Sequence, residues 1–404
     1  MTKLNEPLLP DVGVLALVAD TWSMYWQSRH HVLSRLASFF PVVWLGPAHE
    51  WQDALTNPRV PSLWDAALGP GFTVHRSERW LPRLYRPQWL AKLSFQERLK
   101  RAHSLLTARG CEKIILYIWR PEFEPALRAV PFDLSCYHID DEYTFSPVDL
   151  PIPDTEARLI RCVDQVFVSS RALFEKKGRS NPHTTFVPNG VDYQAYTKWV
   201  HEPPDLVPIP HPRIGYSGFL KKQLDWPLLS HLTARHPDWS FVFVGPQNNQ
   251  AEIEPFIQEL LRLANVHFLG AKLTPELAGY PQHFDVCIMP YRLDDYTKYI
   301  YPLKLHEYLA SGRPTAGTRI HSLVEFTEVV ALPNTWDEWS AAISTSLSPA
   351  ANEEARRAER QSVARRHDWR ILVSQIAKTM ARGLGADYAE RFDKSLKISG
   401  IPLC

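Results

Sequence analysis

A lysine and a glutamate three positions apart, Lys304 and Glu307, stand at the start of a short predicted helix. Pro302 precedes them where a first helical turn tolerates proline, and Gly312 followed by Pro314 predicts the helix end. Residues at this spacing share one face, and the N-terminus of a helix favours an anion. Lys304 therefore suits a diphosphate, and Glu307 can accept hydrogen bonds from a ribose diol. The alternative is an amphipathic helix whose charges are merely solvated.

A loop that contains a glycine offers a second place for an anion. Gly218 follows the predicted strand 213–216, and Lys221 and Lys222 come soon after it. A glycine lets backbone N–H groups approach an anion without a Cβ in the way, and a lysine adds a point charge. On its own this pattern is weak, because many α/β proteins contain it. The chain has neither a G-x-G-x-x-G helix start after its first strand nor a Walker motif, which disfavours dinucleotide oxidoreduction and P-loop hydrolysis.

The segment Pro302–Pro314 resembles the donor-site helix of retaining nucleotide-sugar glycosyltransferases of family 4 and their relatives with the GT-B fold. Further segments are similar to motifs of that family and occur in the same order: Val187–Asp192, Ile214–Gly218, Phe241–Pro246, Asn265–Gly270 and Phe284–Tyr291. The resemblance is close from residue 187 to about residue 320 and loose in the first half. It implies an α/β protein of the GT-B fold, with two Rossmann-like domains whose parallel sheets face each other across a cleft.

Apolar runs alternate with helical patterns, as expected for parallel strands with crossover helices. Strands are predicted at Val12–Ala19, Val42–Leu45, Lys113–Ile118, Leu134–His138, Gln165–Ser169 and Thr184–Pro188, and then at Arg213–Tyr216, Ser240–Val244, Val266–Leu269, Val286–Met289, Arg313–Gly317 and Val329–Leu332. The segment Glu353–Met380 is predicted to be helical. We expect an acceptor-binding domain at 1–197, a proline-rich linker at 198–212, a donor-binding domain at 213–380 and a tail at 381–404 that packs back on the first domain, as in GT-B relatives.

Composition excludes several other classes of protein. The chain has 404 residues, 45% of them hydrophobic, and 45 basic against 44 acidic side chains give a net charge of +1, so nothing in the overall charge attracts nucleic acid. The five cysteines lie far apart, which argues against structural zinc and a disulfide scaffold and favours a reduced cytoplasmic setting. The apolar run Val12–Ala19 is too short to span a bilayer. No metal or other cofactor is expected.

The contacts to the base and sugar of a donor are harder to predict. Gly270 and Lys272 lie in a loop that, in the family, binds the nucleobase mainly through backbone groups. The fullest family pattern has a glutamate eight positions before the one that corresponds to Glu307, and this chain has Tyr299 there. The resemblance therefore implies a rearranged sugar site, with Asp294, Asp295 and Thr297 as substitutes, although an exposed acidic turn explains these three residues equally well. Tyr299 and Leu305 complete the predicted donor-binding set.

The sequence of the first domain predicts its ligand-binding residues less specifically. Trp22, Arg29 and His30 follow the first strand, and Asp140 and Asp141 follow a later one, where parallel sheets bind ligands. We predict that Trp22, Arg29, His30 and Asp140 contact an acceptor and that Asp141 orients its hydroxyl or accepts its proton. Packed tryptophans, solvated histidines and a helix cap formed by one of the acids are the competing explanations.

The composition of the segment Arg76–Arg101 bears on the kind of acceptor. It carries eight basic side chains against two glutamates, interleaved with large apolar ones: Trp80, Leu81, Leu84, Tyr85, Trp89, Leu90 and Phe95. Basic and aromatic residues together are typical of binding to an anionic membrane, and lipid-linked acceptors would suit such a surface. The alternative is a solvated helix pair whose arginine stems cover the domain.

The prediction is a glycosyltransferase that moves a sugar from a nucleoside diphosphate sugar, with retention, to a glycan or lipid-linked glycan in cell-surface polysaccharide synthesis. Lys304 would stabilise the departing diphosphate, whose phosphate accepts the proton of the acceptor. We expect the protein in the cytoplasm, peripheral on the inner face of the membrane. A nucleotide-sugar epimerase or hydrolase on the same fold is the nearest alternative. A catalytically silent scaffold that binds nucleotide sugars is the other, and Tyr299 is its best support.

Overall fold

The computed structural model describes residues 6–23, 25–48, 69–75, 86–143, 152–247 and 251–399. The chain divides into two compact units. Of the described residues, unit 1 comprises those up to Tyr143, those from Ile152 to Pro188 and those from Arg370 onwards, and unit 2 comprises those from Asn189 to Trp369. The division therefore differs from the boundaries expected at residues 197 and 380. The proline-rich segment 198–212 lies within unit 2, because its apolar residues Leu206 and Ile209 are buried in the core of that unit.

Unit 1 is built on a seven-stranded parallel sheet in the order β3-β2-β1-β4-β5-β6-β7. Its strands are β1 Val12–Leu17, β2 Val42–Leu45, β3 Phe72–His75, β4 Lys113–Ile118, β5 Leu134–Ile139, β6 Gln165–Val168 and β7 Thr184–Phe186. Strand β3 was not predicted, because its Phe-Thr-Val-His sequence has no continuous apolar run. The first helices of the unit are α1 Ser28–Leu36, α2 Gln88–Ala108, α3 Asp154–Cys162 and α4 Arg171–Lys176, with short 3₁₀ helices at Pro121–Arg128 and Gly178–Ser180.

Unit 2 is built on a five-stranded parallel sheet in the order β10-β9-β8-β11-β12. Its strands are β8 Arg213–Ser217, β9 Ser240–Val244, β10 Val266–Gly270, β11 Val286–Met289 and β12 Thr315–Gly317. The strand predicted at Val329–Leu332 is wrong: within it only Ala331 forms a bridge, to Ala316. The helices are α5 Tyr193–Thr197, α6 Trp226–Arg235, α7 Glu254–Leu260, α8 Thr274–Leu277, α9 Gly279–Gln282, α10 Leu303–Ser311, α11 Trp336–Ser346 and α12 Glu354–Arg366, with 3₁₀ helices at His321–Phe326 and Ala350–Asn352.

The helical segment predicted at Glu353–Met380 is two helices, α12 and α13 Trp369–Gly383. It breaks because Val191 pairs with the chain there: the Val191 N–H donates to the carbonyl of His367, and the Trp369 N–H donates to the carbonyl of Val191. The last helix, α14 Ala386–Ser399, belongs to unit 1.

Two contacts join α14 to the sheet of unit 1. The guanidinium of Arg391 donates two hydrogen bonds, of 2.9 and 2.8 Å, to the carboxylate of Asp11, just before β1. The buried ring of Phe392 stacks on that of Phe39. Within the described ranges, no helix has the length and apolar character needed to cross a membrane.

Candidate functional site

Glycines follow or end three neighbouring strands of unit 2. Gly218, Gly245 and Gly270 have φ angles of 144°, 144° and 69°. The Gly218 N–H donates to the carbonyl of Val244 and the Gly245 N–H to that of Gly270, both at 2.8 Å. A Cβ on Gly245 would lie 2.1 Å from the carbonyl oxygen of Gly218, so the two backbones approach more closely than any side chain allows. The result is an edge of bare backbone at the carboxyl ends of β8, β9 and β10.

Helix α10 is fixed against this edge by its own sequence. Pro302 caps its start, and Gly312, with a φ of 75°, ends it in the left-handed conformation that glycine tolerates. Leu309 packs in the core, and the hydroxyl oxygen of Tyr308 accepts the Ser217 N–H at 2.7 Å. This bond links the helix to the last residue of β8. The first turn of α10 therefore lies beside the glycine loop.

Lys304 occupies that first turn and is half-buried. Its Nζ donates a 2.9 Å hydrogen bond to the hydroxyl of Tyr291, and it lies 5.0 and 5.5 Å from the ring centres of Tyr216 and Tyr291. A Cβ added to Gly218 would lie 2.9 Å from Cε and 3.0 Å from Nζ of Lys304. The structure thus brings the predicted loop glycine and the predicted lysine into direct contact. A side chain at position 218 would displace the ammonium.

The electrostatics leave Lys304 charged. Burial alone would lower the pKa of its ammonium, but the oxygens of Tyr216, Tyr291 and Tyr308 outweigh burial and raise that pKa well above its usual value. Burial also raises the pKa of the Tyr216 and Tyr308 phenols, so both are neutral near pH 7. Among the residues whose positions are described, no carboxylate forms an ion pair with Lys304. The Lys304 ammonium, which lies among tyrosine side chains, is therefore placed to bind an anion.

Glu307 lies one turn further along the helix and is also half-buried. The hydroxyl of Tyr196, a buried residue of α5, hydrogen-bonds to its carboxylate. Burial raises the pKa of Glu307, and the charge of Lys304 and the Tyr196 hydroxyl partly offset that rise. Glu307 is therefore oriented by a fixed partner rather than solvated, which excludes the reading of a simple solvent-facing charge.

Lysines also lie in the loops that follow Gly218 and Gly270. Lys221 is half-buried and Lys222 exposed in the loop that follows Gly218. Lys272, in the loop after Gly270, forms a 2.7 Å ion pair with Asp205, which also accepts a hydrogen bond from Tyr280. Its charge is thus already balanced within unit 2.

The acidic loop before α10 is mostly engaged with itself. The Asp294 carboxylate accepts the N–H groups of Thr297 at 2.8 Å and Tyr296 at 3.1 Å, and the buried Thr297 hydroxyl donates to the carbonyl of Arg292. Asp294 and Thr297 therefore stabilise a turn, which corrects the picture of two groups free for sugar hydroxyls. Asp295 is exposed.

Two predicted donor contacts have buried side chains. Tyr299, at the position of the absent glutamate, is 2% exposed, and Leu305 is completely buried in the core of unit 2. Leucine at 305 faces inwards because it lies on the apolar side of α10. Neither side chain is placed to contact a ligand from solvent, so the interpretation of these two as donor-binding side chains is corrected.

Unit 1 brings Arg29 and Asp140 together. The guanidinium of Arg29 donates to Asp140 at 2.9 Å and to Asp20, and the Asp140 carboxylate also accepts the hydroxyls of Ser28, at 3.2 Å, and Tyr143. Burial alone would lower the pKa of Arg29, but the carboxylates of Asp140 and Asp20 outweigh it and raise the pKa. This network follows β1 and β5 in the chain. Its cation is already paired with two anions.

The neighbouring aromatic cluster is packed rather than solvated. The Trp22 ring lies 5.3 Å from that of His30 and 5.0 Å from that of Trp44. His30 is 1% exposed, and burial, with the charge of Arg29, lowers its pKa to about 4. Asp141 is half-buried and accepts the N–H of Glu142 at 2.8 Å. The idea of solvated histidines is therefore wrong, while the packed tryptophan is part of the observed cluster.

Sequence reasoning missed Tyr216, Tyr291, Asp20 and Tyr143. Tyr216 lies within β8 and Tyr291 lies two residues after β11, in the segments already recognised as motif-like, Ile214–Gly218 and Phe284–Tyr291. Their position next to a strand end is the signal that could have found them. No group of three or more His, Cys, Asp or Glu side chains in the described part of the chain is arranged to hold a metal ion.

Comparison with known proteins agrees with this geometry. Residues 211–348 match the family model described as glycosyl transferases group 1. The chain is 32% identical over 243 residues to the putative teichuronic acid biosynthesis glycosyltransferase TuaH of Bacillus subtilis, an alignment that covers 56% of this chain and 59% of TuaH.

Solved structures extend the likeness to nearly the whole chain. HepE from Anabaena, determined in complex with UDP and glucose, has a TM-score of 0.66 and 15% identity, covering 92% of this chain and 99% of HepE. The α,α-trehalose 6-phosphate synthase of Burkholderia multivorans has a TM-score of 0.61 and 15% identity over 93% of this chain and 98% of its own. The two parallel-sheet α/β units expected from the sequence are confirmed. The chain thus has the GT-B fold of these structures, and residues 211–348, which lie within unit 2, resemble the glycosyl transferases group 1 family.

Proposed function

We propose that this protein is a glycosyltransferase that takes a sugar from a nucleoside diphosphate sugar bound at the strand ends of unit 2. One observation carries the proposal: the charged Lys304 lies against the bare backbone of Gly218 at the start of α10, and among the described residues its Nζ donates to a tyrosine hydroxyl and forms no ion pair with a carboxylate. A diphosphate supplies the missing negative charge. Backbone N–H groups at a helix start and a glycine corner complement it.

The acceptor is proposed to be a glycan or lipid-linked glycan of cell-surface polysaccharide synthesis. Support comes from TuaH, which is described as acting in teichuronic acid biosynthesis, and from HepE, which was crystallised with UDP and glucose. The Arg29–Asp140 network offers fixed acceptors and donors to a neutral polyol, because its one cation is already paired with two carboxylates. We assign Asp140, Arg29 and the Trp22–His30 cluster to acceptor binding, and Asp141 to orienting the reactive hydroxyl.

The reaction proceeds with retention in this proposal. As the glycosidic bond breaks, negative charge grows on the β-phosphate, and the Lys304 ammonium and the helix dipole stabilise it. The phosphate oxygen then accepts the proton of the acceptor hydroxyl on the same face of the sugar. Glu307 binds the ribose diol. The counter-charge comes from Lys304 rather than from a metal.

A second candidate, a silent nucleotide-sugar-binding scaffold, is favoured by one observation. Tyr299 occupies the place of a family glutamate and is buried. Product analysis with a panel of nucleotide sugars distinguishes the candidates: transfer requires an acceptor, epimerisation and hydrolysis do not, and a scaffold binds without turnover. We expect acceptor-dependent release of nucleoside diphosphate. Turnover without an acceptor, or binding without turnover, would contradict the transferase.

We further propose that the protein is cytoplasmic and lies on an anionic membrane through α2. Trp89 and Leu93 are one turn apart and 64% and 52% exposed, and Lys92 and Arg86 beside them are exposed as well. Apolar rings and basic groups on one exposed surface suit a headgroup layer. Seven further residues of the predicted surface lie outside the described residues: Arg76, Arg79, Trp80, Leu81, Arg83, Leu84 and Tyr85. Arg98 does not belong to this surface, because its guanidinium is buried and donates to the carbonyl of Gly46 at 2.6 Å.

Liposome co-sedimentation tests this attachment. Trp89→Ser with Leu93→Ser should release the protein from anionic vesicles even at low salt, since burial of apolar groups is not screened. Leu105→Ser, at an exposed leucine near the other end of α2, is the matched control and should remain bound. Wild-type protein that stays in the supernatant at low salt would contradict the membrane proposal and leave transfer to a soluble glycan.

A further inference from the structure

An ammonium at the end of a flexible lysine stem needs partners to hold it in one place. A lysine side chain has four rotatable bonds and three equivalent N–H donors, so its ammonium normally occupies many positions. At Lys304 the partners are two phenols. The Tyr291 hydroxyl accepts from Nζ at 2.9 Å, and Nζ lies 5.0 Å from the ring centre of Tyr216.

Both phenols are themselves fixed. Tyr216 lies within β8, is 1% exposed, and donates its hydroxyl hydrogen to the carbonyl of Phe219 at 3.0 Å. Because that hydroxyl has a single hydrogen, Tyr216 can only accept from Lys304. Tyr291 is 3% exposed, and the buried hydroxyl of Thr318 donates to its carbonyl at 2.6 Å. The two oxygens therefore present acceptors from a rigid frame.

We propose that Tyr216 and Tyr291 are positioning residues that engage two N–H groups of Lys304 and leave the third for a β-phosphate oxygen of the donor. This inference rests on the proposed function. It assigns the two tyrosines an effect that passes through Lys304 alone. Neutral acceptors suit this task, because a carboxylate in their place would satisfy the positive charge that the leaving group needs.

A double-mutant cycle tests this route. Tyr291→Phe keeps the ring and removes the hydroxyl, and we expect kcat to fall about tenfold while the KM for the donor changes less than about twofold. In a Lys304→Ala background, the same change should alter kcat less than about twofold. An equal loss in both backgrounds would overturn the proposal, because Tyr291 would then act independently of Lys304. Tyr216→Phe is expected to behave in the same way.

Tyr301→Phe is the matched control for the loss of a buried hydroxyl. Tyr301 is 8% exposed, and its hydroxyl is paired with Nε2 of His306 at 2.8 Å, away from the Lys304 ammonium. It should lower stability as much as Tyr291→Phe does and leave kcat within about twofold of wild type. A loss of kcat in Tyr301→Phe that equals the loss in Tyr291→Phe would reduce both to packing effects.

A measurement of Lys304 reactivity, which needs no turnover, separates this inference from the proposed function. The rate at which an amine-directed acylating reagent modifies Lys304, followed by mass spectrometry, should rise several-fold in Tyr291→Phe and Tyr216→Phe, because the freed amine loses its proton and its partners more readily. Tyr301→Phe should label like wild type. Unchanged labelling in both phenol variants would overturn the positioning role, whereas a wild type without any nucleotide turnover would contradict the transferase alone.

Discussion

The two units carry clusters of charged residues that follow strands of similar parallel sheets, yet the clusters differ in charge balance. In unit 1 Arg29 is paired with two carboxylates, Asp20 and Asp140. In unit 2 the Lys304 ammonium donates to the Tyr291 hydroxyl and lies beside the rings of Tyr216 and Tyr291. A compensated cation forms a rigid polar network suited to neutral hydroxyl groups, and an uncompensated one attracts an anion. The difference assigns the diphosphate to unit 2 and the polyol to unit 1.

Removing Lys304, the cation that donates to a tyrosine hydroxyl, should have the largest effect. Lys304→Ala is expected to lower kcat and kcat/KM together by roughly 10²- to 10³-fold, because the ammonium acts mainly on charge that develops in the transition state. Steady-state kinetics with the preferred donor would measure this. Lys298→Ala, at an exposed lysine of the loop before α10, is the control and should be nearly silent. A raised KM with unchanged kcat would reduce Lys304 to a ground-state anchor.

The compensated network should respond differently. Asp140→Asn leaves Arg29 with one carboxylate and should lower acceptor-dependent turnover by roughly tenfold, while the affinity for nucleoside diphosphate stays unchanged. Initial rates at varied acceptor, together with calorimetric titration of nucleotide, separate the two quantities. Weaker nucleotide binding in this variant would contradict the assignment of the nucleotide to unit 2 and the acceptor to unit 1.

Removing the proposed ribose contact of unit 2 should have a smaller effect. Glu307→Gln keeps the shape of the side chain but loses a charged acceptor, so nucleotide binding should weaken by roughly 1 to 2 kcal/mol. Thermal unfolding tests whether the fold survives. A variant that unfolds, or one that binds nucleotide as tightly as wild type, would show that the carboxylate serves only its bond to Tyr196.

The smallest effect concerns stability in unit 1. His30 is buried beside Arg29 and its pKa is lowered from 6.5 to about 4, so the unfolded chain binds a proton between these values and the folded chain does not. Stability contributed by neutral His30 is therefore lost as the pH falls through this window, by roughly 1 kcal/mol between pH 6.5 and 5.5. Denaturant unfolding of wild type and His30→Gln at both pH values measures it. An identical pH dependence in the two proteins would contradict the assignment.

The sequence predicted most of the fold because buried parallel strands are continuous apolar runs. Val42–Leu45, Lys113–Ile118 and Ser240–Val244 were predicted with the observed bounds. Short elements at the edges of the sheets were predicted less well. Phe72–His75 mixes polar and apolar residues, and Val329–Leu332 is apolar but contributes a single bridge, since an apolar run records burial rather than pairing.

The site was partly predictable for a related reason. Lys304, Glu307 and Gly218 were found because helix ends and strand-end glycines have local signals. The phenols around Lys304 were not, because tyrosines inside strands look like ordinary core residues until the fold brings Tyr216 and Tyr291 to one ammonium. The turn formed by Asp294 and Thr297 was not predicted to be fixed internally, because a sequence does not show that a carboxylate already accepts backbone N–H groups of its own turn.

Titration of nucleoside diphosphates into wild-type and Lys304→Ala protein tests the central claim most directly. UDP, GDP, ADP and TDP are each followed by calorimetry, and the same titration is repeated with the corresponding nucleotide sugar. A free diphosphate carries the terminal charge that the sugar ester lacks, so Lys304→Ala should weaken binding of the preferred diphosphate by about tenfold or more and binding of its sugar ester less. Equal affinity of both proteins for every diphosphate would contradict a diphosphate site at Lys304.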